Sequence, residues 1–77
     1  MKIHLYSKSG CPNCTTAKQI LNQRGLVFSE ENLDEPALMA AFLRMYSDAK
    51  GMPQITIDGQ RVGGVAGLQA ALRQLGL

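Results

Sequence analysis

Apolar and polar positions alternate from Lys2 to Tyr6, with Ile3 and Leu5 on one side, which predicts a short opening strand. Ser7 to Gly10 reads as a polar loop, and Pro12 suits the first turn of a helix. Ala17, Ile20 and Leu21 give that helix its apolar face, and Arg24-Gly25 supplies a C-terminal stop. Leu26 to Asn32 is a poorer strand, and the polar run Glu30, Glu31, Asn32 at its far end places it at a sheet edge.

Asp34 then reads as an N-cap, with Glu35 and Pro36 in the first turn of a second helix. Leu38, Ala41, Phe42 and Met45 recur there at helical spacing, with Arg44 on the other side; Met39 and Met45 read as core filler. Gly51 ends this region ahead of Met52-Pro53. Gln54 to Ile57 and Gln60 to Gly63 flank Asp58-Gly59, a strong two-residue hairpin signal. A last helix is expected from about Val65 to Leu75, with Leu68, Ala71, Leu72 and Leu75 inward.

This order, β-α-β-α-β-β-α, predicts an α/β fold. Its first βαβ unit requires two parallel strands joined by a right-handed crossover, and the hairpin adds an antiparallel pair. The expectation is a four-stranded mixed sheet flanked by three helices, in one domain over residues 1–77. Hydrophobic residues make up 45% and charged residues 18%, which fits a globular chain rather than a disordered one. Eight basic and six acidic side chains leave a net charge of +2, in no block that suggests nucleic acid or a membrane surface. No apolar run approaches a membrane span and no targeting signal stands at Met1-Lys2, so a cytoplasmic monomer is expected.

The candidate chemistry lies in SGCPNC, residues 9–14. Two cysteines three apart can form a metal knuckle, a structural bridge or a reactive dithiol. Structural zinc takes four ligands, and this chain offers one pair plus His4, which leaves only a site shared between two chains. Haem attachment would want histidine where Thr15 stands. A structural bridge would close too small a loop to constrain the unfolded chain much. His4, within the first strand, reads as a structural side chain.

A reactive dithiol fits best. Cys11 falls at the helix mouth, facing free N–H groups and the positive end of the macrodipole, and Cys14 lies one turn on. Their Cα atoms are then roughly 5 to 6 Å apart, within disulfide reach. An ordinary thiol is only about 3% thiolate at pH 7. A helix terminus contributes up to about 2 kcal/mol toward the charged form and a charge-assisted N–H bond about 1.5 to 3. Lys8 adds a little more, and no metal is needed. Cys11 is therefore the expected nucleophile and Cys14 the resolving thiol.

YSKSGCPNC (residues 6–14) and GMPQITIDGQRVGG (residues 51–64) resemble the active-site loop and the cis-proline, hairpin and glycine-pair segment of glutaredoxins, within the thioredoxin-like fold. The resemblance implies a cis Met52-Pro53 peptide beside Cys11, with the Met52 backbone free to pair with a cysteinyl substrate. It also implies that Lys8 and Lys50 attract the glycine carboxylate of glutathione, and that Gly64 with the N–H groups of Val65 and Ala66 holds its γ-glutamyl carboxylate. Asn13 stands where the family usually has tyrosine, and with Met52 and Val65 it would shape substrate choice. In GGVAGL, residues 63–68, Ala66 and Gly67 stand where two aspartates are common, so the carboxylate for glutathione's amino group is missing.

The function implied is a glutathione-linked thiol–disulfide oxidoreductase acting on protein disulfides and glutathionylated proteins, with glutathione as co-substrate and no tightly bound cofactor. Losing one charge-assisted bond costs about 1.5 to 3 kcal/mol, roughly ten- to hundredfold in affinity, so looser glutathione binding is expected. One alternative is a redoxin recharged by a thioredoxin-reductase-type flavoprotein, as for ribonucleotide reductase. Another is an iron–sulfur carrier with Cys11 from two chains, against which Pro12 counts.

Overall fold

A computed structural model describes residues 1–77. The chain forms β1 (Ile3–Ser7), α1 (Pro12–Gln23), β2 (Ser29–Asn32), α2 (Pro36–Met45), β3 (Gln54–Ile57), β4 (Gln60–Gly63) and α3 (Val65–Gln74). The sheet order is β2-β1-β3-β4. β1 pairs parallel to β2, and the β1–β3 and β3–β4 pairs are antiparallel, so the expected mixed sheet forms. β2 lies at the edge that its charges predict.

Alternation in β1 divides the molecule into two faces. Ile3 and Leu5 point into a core with Ala17 and Leu21 of α1, Ile55 and Ile57 of β3, and Leu68 and Leu72 of α3. Tyr6 points the other way and packs on Phe42 of α2, with ring centroids 4.7 Å apart; His4 meets Tyr6 edge-on at 4.5 Å. Burial pushes the Tyr6 phenol pKa up, with help from Tyr46 and the negative Glu31. Thus α1 and α3 cover one face of the sheet, and α2 alone covers the other.

Several sequence expectations are corrected. β1 starts and ends one residue later than predicted, because its partners run from Ser29 to Asn32 on one side and from Gln54 to Ile57 on the other. β2 loses Leu26 to Phe28: Leu26 and Phe28 pack against the core, and Val27 is 88% exposed. Asp34 does not cap α2; Glu35 occupies that position without a side-chain cap bond. Met45 is 63% exposed and Leu38 is also exposed, so neither is core. A helix alone on its face buries one narrow stripe, here Phe42, and Leu33 ahead of the helix fills the remaining space. Leu75 follows the last turn of α3 and is 54% exposed rather than inward.

Two local features fix the ends of the sheet. Asp58 and Gly59 both have positive φ, 51° and 83°, as a type I′ hairpin requires. Gly67 brings the start of α3 against β4: a Cβ there would lie 2.8 Å from the Val62 carbonyl carbon and closer still to its oxygen. Only glycine permits that approach.

A polar tie joins β1, β2 and α1 beneath the first loop. Buried Ser7 donates its hydroxyl to Glu30 at 2.7 Å, and Lys18 reaches the same carboxylate oxygen at 3.0 Å. The Ser7 hydrogen bond first, and Lys18 second, hold the Glu30 carboxyl below its ordinary value. His4 is occupied by Ser29, its Nδ1 lying 2.6 Å from the Ser29 hydroxyl oxygen.

Two outcomes follow from these contacts. Gly67→Ala should destabilise by about 1–3 kcal/mol through overpacking, against the roughly 1 kcal/mol that alanine gains over glycine in a helix. Urea unfolding reads this, and a higher midpoint in the variant would show that the close approach is not fixed. Because Glu30 titrates lower folded than unfolded, its contribution is full above the ordinary glutamate pKa and is lost as pH falls through the folded value. Glu30→Gln should therefore lose stability near neutrality and converge on the parent protein under acid; parallel stability–pH curves would contradict this.

Candidate active site

The site begins where β1 runs out. Ser9 donates its backbone N–H to Asp34 at 2.8 Å and its hydroxyl to the other carboxylate oxygen. These bonds hold the Asp34 carboxyl below its ordinary range, with a smaller contribution from the Lys8 charge. Asp34 thus ties down the loop that delivers the cysteines.

Cys11 is the N-cap of α1 and Pro12 its first residue. The Cys14 N–H donates to Cys11 Sγ at 3.1 Å, so the sulfur occupies the place of a capping oxygen. The cysteines are joined as a disulfide with their Cα atoms 5.3 Å apart. Their surroundings differ: Cys11 is half-buried, whereas Cys14 is 2% exposed. An incoming group can therefore approach the first sulfur far more easily than the second.

A second backbone segment meets this helix mouth. The Met52-Pro53 peptide is cis, Pro53 is buried, and the Met52 carbonyl oxygen lies 3.5 Å from Cys11 Sγ. Arg61 of β4 braces the approach to that segment, reaching both Asp48 carboxylate oxygens at 2.6 and 2.5 Å and stacking over Tyr46 at 5.0 Å. The Arg61 contact keeps the Asp48 carboxyl below its usual value. Gln54 adds a side-chain bond to the Gly51 carbonyl at 2.8 Å. Gly64 abuts the same segment, where a Cβ would lie 3.5 Å from the Pro53 carbonyl oxygen. The first intrahelical bond of α3 runs from the Leu68 N–H to the Gly64 carbonyl. The N–H groups of Val65 and Ala66 therefore have no partner within the helix.

Cys11, Cys14, Met52, Pro53 and Gly64 thus converge, with half-buried Val65 and exposed Ala66 next along α3. Lys8, Asn13 and Lys50 are exposed, and their side chains make no hydrogen bond or ion pair. No three His, Cys, Asp or Glu side chains stand together as a metal site. The Ser9–Asp34 and Arg61–Asp48 braces were missed in the sequence. Their only signal is an acid with a hydroxyl or a base at a separation that local periodicity does not read.

The glutaredoxin family model matches residues 3–62, which include both cysteines and Met52-Pro53. The chain is similar to glutaredoxin 3 of Escherichia coli, at 35% identity over 68 residues, 88% of this chain and 82% of that protein. It is also similar to hybrid peroxiredoxin hyPrx5 of Haemophilus influenzae, at 39% identity over 62 residues, 80% of this chain. In that case the chain spans a quarter of the relative's length. Among solved structures, Francisella tularensis glutaredoxin 1 complexed with cacodylate superposes with a TM-score of 0.81. Its identity is 30%, with 96% of this chain and 94% of that one covered. A buckwheat glutaredoxin–glutathione complex gives 0.78 at 25% identity, covering 94% and 68%. With a helix-mouth cysteine pair facing a cis-proline segment on this fold, the chain belongs to the glutaredoxin family and is a thiol–disulfide oxidoreductase.

Proposed function

We propose that the chain uses glutathione to reduce protein disulfides and glutathione mixed disulfides. The observation that carries this reading is the Met52 carbonyl 3.5 Å from Cys11 Sγ. An extended cysteinyl group lying along Met52 would put its sulfur beside Cys11, with backbone pairing to hold it. Lys8 and Lys50 would draw in the glycine carboxylate, and Gly64 with the free N–H groups of Val65 and Ala66 would take the γ-glutamyl carboxylate. Asn13 would form part of the exposed rim. The similarity to a glutaredoxin whose complex with glutathione is solved supports the ligand.

In this scheme the Cys11 thiolate attacks the glutathione sulfur of a mixed disulfide. A Cys11–glutathione disulfide forms and the protein thiolate leaves, taking a proton. A second glutathione thiolate then attacks the bound glutathione sulfur, which releases glutathione disulfide and restores the Cys11 thiolate. With a protein disulfide, Cys11 forms a mixed disulfide with the substrate, and Cys14 attacks Cys11 Sγ to free the second substrate thiol. Two glutathione molecules then reduce the Cys11–Cys14 disulfide. One domain over residues 1–77 in a reducing cytoplasm suits a chain whose only two cysteines form this pair.

A second electron source, a thioredoxin-reductase-type flavoprotein, is favoured by one observation: residues 66 and 67 offer no carboxylate for glutathione's ammonium. A redoxin recharged in this way would suit a disulfide-forming partner such as ribonucleotide reductase. Stopped-flow reduction of the oxidised protein separates the two sources. Fast, saturating reduction by glutathione supports the first, and slow reaction with glutathione but rapid turnover with the flavoprotein supports the second. Cys14→Ser should abolish protein-disulfide reduction yet keep deglutathionylation, whereas Cys11→Ser should lose both. Loss of both in Cys14→Ser would contradict the division of labour.

A further inference from the structure

Glutathione carries two carboxylates and one ammonium group, and the distribution of charge around this site treats the two kinds differently. Lys8, two residues before Gly10 in the loop that delivers Cys11, and Lys50, two residues before Met52, are exposed cations in no ion pair, and the first turn of α3 offers free N–H groups. Both features favour anions. Nothing comparable awaits a cation. Residue 67 holds no side chain without displacing the Val62 carbonyl, which fills the place of its Cβ.

Of the six acidic side chains, five have partners elsewhere and the sixth lies on the far face of the sheet. Glu30 is held by Ser7 and Lys18, Asp34 by Ser9, Asp48 by Arg61, and Asp58 accepts from the Lys2 N–H at 2.7 Å. Glu31 lies 3.8 Å from His4 on the edge strand. Glu35 opens α2, on the opposite face of the sheet from α3. No carboxylate therefore faces the γ-glutamyl end of a bound tripeptide.

We infer that this site reads carboxylates and backbone but not the ammonium group. Its substrate class is then anionic acyl-cysteinyl disulfides in general, including those with no free amine, with glutathione as one member. The inference rests on the proposed glutathione-linked reading and narrows it to what the site can recognise. The covalent step is unchanged: the Cys11 thiolate attacks the small thiol's sulfur and the reporter thiolate leaves.

The test uses the full chain and three mixed disulfides of one reporter thiol. The first carries glutathione. The second carries glutaryl-cysteinyl-glycine, which is glutathione without its amine. The third carries butanoyl-cysteinyl-glycine, which lacks the terminal carboxylate as well. The changes lie far from the cysteine sulfur, so the three leaving groups and attack sites match.

A kcat/KM ratio between the first two within about threefold is expected, where one charge-assisted contact would give about ten- to hundredfold. The third should fall clearly below the second. A preference for glutathione above about threefold, or equal rates for the second and third, would overturn the inference. Failure on all three with retained reduction of a protein disulfide would instead sink the glutathione-linked reading itself, a separate result.

Discussion

The hydrogen bond from the Cys14 N–H to Cys11 Sγ, 3.1 Å long, is the contact on which the rest of the site depends. It exists because Cys11 is the N-cap of α1 and Pro12 starts the helix without needing a donor. A neutral capping group would gain about 1 kcal/mol there. A thiolate gains more, since a charge-assisted bond contributes about 1.5 to 3 kcal/mol and the helix end adds up to about 2. The same turn places Cys14 under cover, so one geometric choice yields both a reactive sulfur and a shielded partner.

The remaining framework holds other backbone segments against that helix mouth. Ser9–Asp34 secures the loop before it, and Arg61–Asp48 with Tyr46 secures the segment that leads to Met52. Both braces are exposed pairs, worth little individually to stability. Their contribution is positional: each fixes a loop whose neighbours include a residue of the site. The close approach of Gly67 to Val62 works similarly, setting the start of α3 against β4 and beside Pro53.

Much of this was legible in the sequence, for reasons that differ by element. CPNC at a strand-to-helix junction carries its own geometry, since Pro12 and the three-residue spacing together fix the N-cap and the disulfide distance. Asp58-Gly59 was equally plain, because two successive positive φ values suit few other residue pairs. The second helix was not, because its apolar pattern runs nearly all round and does not say which stripe meets the sheet; Phe42 does, while Leu38 and Met45 face outward. Asp34 has the local pattern of a cap, but the fold brings Ser9, 25 positions earlier, to its carboxylate instead. The absence of a carboxylate at Gly67 could be read directly, but the backbone contact that excludes one could not.

The mouth of α1 stabilises the Cys11 thiolate, and an absorbance titration of the reduced protein near 240 nm tests this most directly. With Cys11→Ser as the reference, the Cys11 thiolate signal should persist well below pH 8.5, the region where an ordinary thiol ionises. Cys14 should contribute only at higher pH. A single transition for Cys11 near about pH 8.5 or above would mean that the helix terminus does not hold the charge, and the assignment of Cys11 as nucleophile would lose its physical basis.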